Sequence, residues 1–99
     1  MKNAHALLEQ CGFERWYTGG GCTAWGRDFP NCEVKVTQDA SADLEPEYMA
    51  DIGISVGVWN PETYEQVYWD TCHTYAEMPR LILEAFAAAM DHRGGENES

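Results

Sequence analysis

The sequence predicts an α+β fold: an antiparallel sheet of four to five strands, with an N-terminal and a C-terminal helix packed on one face. Three observations predict it. Val34 and Val36 alternate with polar residues, and so do Ile52, Ile54, Val56 and Val58, which is the period of a strand. Ala4, Leu7, Leu8 and Cys11 near one end, and Ile82, Ala85, Phe86 and Ala89 near the other, recur at helical spacing. No helix-length segment separates the strands, which excludes βαβ crossovers and leaves a meander.

The elements follow in order. Asn3 suits an N-cap and Gly12 a C-terminal stop, which bounds a helix over residues 4–11. Residues 13–18 are rich in aromatics and read as a strand. Gly19, Gly20 and Gly21 form a hairpin turn into a second strand over 22–29. After Pro30 and Asn31, a third strand covers 32–38, with Val34 and Val36 on one face and Glu33, Lys35 and Thr37 on the other. An acidic loop over 39–51 follows. The row Ile52, Ile54, Val56 and Val58, ending at Trp59, is the clearest strand and is expected near the centre of the sheet. Residues 60–63 read as a turn, and 64–70 as a fifth strand. Thr74 with Glu77 matches a capping box, and Pro79 offers a competing helix start. The last helix runs through 81–90 and stops near Gly94. Residues 1–94 make one domain, and 95–99 a frayed polar tail. The expected core is Leu7, Leu8, Val34, Val36, Ile52, Ile54, Val56, Ile82 and Phe86.

Composition narrows the function. The chain has 99 residues, enough for one small core. Four Trp and five Tyr must supply apolar area that the scarce aliphatic residues do not. Six basic residues against 17 acidic ones leave a net charge of -11, which repels phosphate and argues against direct nucleic-acid binding. No apolar run is long enough to span a membrane. The first ten residues are too polar for a secretory signal, so a cytoplasmic protein is expected (the host cytoplasm, if a phage encodes it). Cys11, Cys22, Cys32 and Cys72 lack the close pairing of a metal site and are read as free thiols.

Motifs with chemical potential are weak. The 19–22 turn exposes consecutive backbone amides suited to a small anionic ligand, but no Walker-type Lys follows. Cys72 and His73 are adjacent, so on an extended chain they point apart. The stretch from Asp39 to Glu45 begins like a calcium loop, yet Leu44 replaces the required Gly and Ala50 the final Glu. Neither a catalytic residue, a metal site nor a cofactor is expected. Two surfaces remain. One is the acidic loop with Asp39, Asp43, Glu45, Glu47 and Asp51. The other is the wet sheet face, where Gly53, Ser55 and Gly57 lead to Trp59, with Trp25 or Trp69 as possible neighbours.

In length, charge and the lack of a catalytic signature, the chain resembles small acidic proteins of bacteriophages and mobile elements, including anti-CRISPR proteins. That resemblance implies a non-enzymatic inhibitor or adaptor that occupies a nucleic-acid-binding surface. From the residues themselves, carboxylates at Asp39, Asp43, Glu45, Glu47 and Asp51 would engage a basic protein partner, with Trp59 as the apolar anchor. The alternatives are a regulatory module that forms a homodimer through its open sheet face, and a small-ligand binder at the 19–22 turn.

Overall fold

Each strand of the sheet pairs with its neighbour in sequence, as short turns between alternating segments require. The computed structural model describes residues 4–39, 41–44 and 51–92. Helix α1 spans Ala4–Gln10, and strands β1 to β5 span Glu14–Gly19, Cys22–Asp28, Glu33–Thr37, Ile54–Trp59 and Gln66–Cys72. A single 3-10 turn over Tyr75–Glu77 leads into helix α2, Met78–Asp91. All pairings are antiparallel and the strand order is β1-β2-β3-β4-β5. The expected five-stranded antiparallel α+β architecture is therefore present. The middle strand is β3 rather than β4, because the meander is never interrupted by a crossover.

The β1–β2 turn has two residues, Gly20 at φ 60° and Gly21 at φ 82°. Positive φ at both positions is the signature of a type I′ turn, whose twist matches the flanking strands, and glycine adopts it without strain. The glycines thus have a sufficient role in the hairpin.

Leu8, Val34, Val36, Ile54, Val56 and Ile82 are buried as expected, while Leu7 and Phe86 pack against the same core only partly covered. Ile52 departs from the expectation, since it is 46% exposed. Gly53 at φ 81° turns the chain just before β4, so the alternating register begins at Ile54 and Ile52 stays outside it. Helix α2 packs against β3, β4 and β5. Its buried residues are Met78, Leu81, Ile82, Ala85 and Ala89, so Met78 and Leu81 join the stripe read from the sequence.

Pro79, not the capping box, marks the start of α2. Glu77 sits at the N-cap in helical geometry with no side-chain capping bond, and Pro follows in the first turn. The Glu77 carboxylate instead accepts the His73 N–H at 3.1 Å. The fifth strand starts two residues later than expected, because Tyr64 is drawn into the preceding turn at φ 62° with its N–H donating to Asn60 O at 2.7 Å.

Polar groups lock the periphery to the core. The buried Trp25 indole N–H donates to Ala42 O at 2.7 Å, and Ala42 N–H donates to Thr23 Oγ1 at 2.9 Å. Leu44 N–H donates to His5 Nε2 at 3.2 Å, which ties the same segment to α1. Arg27 lies 5.0 Å from the Phe29 ring and 4.8 Å from that of Phe86, and donates to Cys11 O at 2.7 Å. It therefore satisfies a carbonyl just past the end of α1 while its stem and guanidinium cover aromatic surface. Among the described residues, no helix is long and apolar enough to cross a membrane.

Candidate functional site

Strand register divides the side chains between two faces. Trp25, Val34, Val36, Val56 and Val58 take one. On the other, Gly26 pairs with Lys35, Lys35 with Gly57 and Gly57 with Trp69 across β2 to β5. Two indoles cover this row: a Cβ at Gly26 would run into the Trp16 ring, and one at Gly57 into the Trp59 ring. Rings covering sheet glycines recover the packing area that the missing side chains give up. Trp69 stands beside Trp59, edge to face at 5.9 Å and 69°, and is 49% exposed. Trp25 is not a neighbour of Trp59: opposite Val36 in register, it is buried on the core face.

At one end of this face lies a cleft of about 300 Å³ lined by Glu33, Lys35, Trp59, Asn60, Pro61 and Tyr64. Lys35 Nζ reaches 5.8 Å from the Trp59 ring centroid and 3.8 Å from Glu33 Oε1. The far wall is the turn after β4, which the buried Asn60 holds in shape. Its Oδ1 accepts the N–H groups of Glu62 at 2.9 Å and Thr63 at 3.3 Å, an Asx turn. Asn60 Nδ2 lies 3.4 Å from His92 Nε2, and Asn31 Nδ2 donates to His92 O at 3.2 Å. The cleft wall is thereby fastened to the end of α2.

The described acidic residues of the 39–51 loop lie away from this cleft. Asp39, Asp43 and Asp51 are exposed, while Glu45 and Glu47 lie outside the described residues. Asp43 forms an ion pair with Arg15 at 3.0 Å, with both side chains largely in solvent. Such a pair is worth only about 0–1 kcal/mol. The loop leaves β3 beside the Thr37–Ser55 pairing, whereas Trp59 pairs with Glu33 at the far end of the same hairpin. Four residue steps along β3 separate the two ends, roughly 13 Å. Asp39, where the chain leaves β3, therefore lies at the opposite end of the hairpin from Trp59.

Among the described residues every Lys or Arg is already engaged. Arg15 pairs with Asp43, Lys35 approaches Glu33, Arg80 pairs with Glu84 at 3.1 Å, and Arg27 is stacked on phenylalanines. The remaining carboxylates dominate the field.

Two of the thiols, Cys32 and Cys72, are buried and offer little nucleophilic chemistry. Burial first, and then the charge of Glu77, push the Cys72 thiol up to about 11, and burial likewise raises Cys32. Cys72, the last residue of β5, is fully buried, while the adjacent His73 just past the strand is exposed. A neutral, enclosed thiol is a poor nucleophile. Among the described residues, no group of three or more His, Cys, Asp or Glu side chains could hold a metal ion.

No protein-family model, curated protein or solved structure matches the chain. The site has to be read from its own chemistry.

Trp16, Glu33, Lys35 and Tyr64 belong to this surface without belonging to any motif. The alternation in β3 already puts Glu33 and Lys35 on the wet face. Trp16 follows only once the β1–β2 register is known, and Tyr64 only once Asn60 is seen to turn the chain.

Proposed function

We propose that the protein is a non-enzymatic inhibitor or adaptor that binds a basic surface of another protein, of the kind that otherwise holds nucleic acid. The observation that carries this reading is the Trp59–Trp69 pair, partly exposed on a sheet face whose cations are already engaged. Exposed aromatics over small residues make good anchors, and surrounding carboxylates select a basic partner. The same reading takes both helices to cover the opposite face, supported by Leu8, Leu81 and Ile82 sharing one core with Val34 and Val56. An anti-defence role in a phage, with action in the host cytoplasm, fits this chemistry.

The acidic loop has a different part from the anchor. Asp39, Asp43, Glu45, Glu47 and Asp51 act as a field that steers encounter, which needs no direct contact with the patch that docks. Reversing Asp39, Asp43 and Asp51 to Lys slows association with the partner and flattens its salt dependence, while Trp59→Ala speeds dissociation. Association and dissociation rates across a salt series measure both. Equal association rates at every salt concentration remove the loop from the account.

Self-association through the tryptophan face is a second reading, favoured by the half-exposed Trp69 on edge strand β5. It requires a dimer in sedimentation whose stability rises with salt, because each copy carries a charge of -11.

A further inference from the structure

We propose that the cleft beside Trp59 receives an arginine side chain of the partner, and that Lys35 holds its place in the free protein. The inference rests on the binding reading above and names the group that the surface recognises.

The cleft has the parts of a guanidinium site. Trp59 supplies an aromatic face, Glu33 a carboxylate, and Tyr64, 82% exposed, a second ring at the rim. At about 300 Å³ it is at the small end of ligand pockets and suits one side chain rather than a cofactor. Asn60 contributes no recognition of its own, since its amide oxygen is spent on Glu62 and Thr63. Specificity falls to Trp59 and Glu33.

Lys35 fits this place poorly. Its Nζ is 5.8 Å from the indole centroid, near the outer limit of about 6 Å for a cation–π contact. At 3.8 Å from Glu33 Oε1 it is beyond hydrogen-bond distance. Lys35 rises from the floor of the sheet, so the short carboxylate contact and the stacked contact are not both made. A guanidinium arriving from solvent has no such tether. Its planar fork can lie on the Trp59 ring while two N–H groups donate to Glu33. Charge favours the exchange. Asp28 pairs with Glu33 across the strands, and Glu62 and Glu65 are exposed on the turn that carries Pro61 and Tyr64.

The experiment is a titration of the isotope-labelled protein with N-acetyl-arginine amide, following the Trp59 indole N–H signal by NMR. N-acetyl-citrulline amide, similar in shape but uncharged, is the control ligand. The arginine probe is expected to move the Trp59 signal saturably and the citrulline probe to leave it in place. Lys35→Met is expected to tighten binding, because the resident cation is gone, while Arg80→Gln, which removes the same charge at a distance, leaves it unchanged. Glu33→Gln is expected to weaken it about tenfold, as loss of a charge-assisted contact does. Dispersed spectra of each variant report that it is folded. Equal shifts from the two probes, or no tightening in Lys35→Met, overturn the proposal. If the probe misses Trp59 while charge reversal still slows partner association, the arginine site falls and the binding reading stands. If the probe binds and charge reversal changes nothing, the cleft stands and the steering role of the loop falls.

Discussion

Val34, Val36, Val56 and Val58 point to one face of the sheet and are fully buried, whereas Glu33, Lys35, Trp59 and Trp69 point to the other and keep contact with solvent. The two faces come from the same strands, one residue apart in phase. The first is filled by branched aliphatic side chains and backed by α2. The second is floored with Gly26 and Gly57 and roofed with two indoles. The aliphatic core is thus on one side, and on the other Trp59 is held by Gly57 beneath it, by Trp69 at its edge and by the Lys35 cation nearby.

The largest effect that sharpens this contrast is expected on the core face. Ile82 is 1% exposed, and Ile82→Ala should cost about 2–5 kcal/mol by leaving a cavity. Chemical denaturation measures it, and a loss well below that range would remove α2 from its place against the sheet. Gly57→Val tests the other face. The added side chain has to displace the Trp59 ring, at about 1–3 kcal/mol. Tryptophan fluorescence should shift toward that of a solvated indole while the cooperative transition survives. A silent fluorescence change would mean that Trp59 does not lie on Gly57.

A third effect concerns pH. The Cys72 thiol is raised from 9.0 to about 11 in the folded protein, so its contribution to stability is complete below the unfolded value and is lost as pH rises through that interval. The slope is at most about 1.4 kcal/mol per pH unit for one proton. Tyr68, raised by burial and by donating to Glu84 at 2.9 Å, acts in the same direction at still higher pH. Denaturation midpoints between pH 8 and about 11 should fall, and should fall less in Cys72→Ala. Identical slopes in the two proteins would place the thiol in contact with water.

Much of the sheet was legible because its signals are local. Alternation found β3 and most of β4, three consecutive glycines found the first hairpin, and helical spacing found both helices. The failures occur where a single backbone angle or a distant partner decides. Ile52 has the right spacing for the core, but the positive φ of Gly53 takes it out of register. Trp25 and Trp59 look equivalent in sequence and lie on opposite faces, because the pairing of Trp25 with Val36 fixes the phase of β2. Phe86 matches the inward stripe of its helix, yet near the edge of the core it shares its surroundings with Phe13, Phe29 and Arg27 and stays partly open. The cleft was invisible for a similar reason: Tyr64 and Trp59 meet only after Asn60 has bent the chain between them.

The uninterrupted meander also sets an order of assembly. The connections between successive strands cover residues 20–21, 29–32, 38–53 and 60–65. Closing the third, 16 residues against 4 in the second, costs about 1.2 kcal/mol more in chain entropy, two doublings of loop length. The β1–β2–β3 and β4–β5 units are therefore expected to form first as local hairpins and to join late along the β3–β4 seam. Shortening the connection within residues 45–50, which keeps the docked residues 41–44, should accelerate folding more than it changes the unfolding rate.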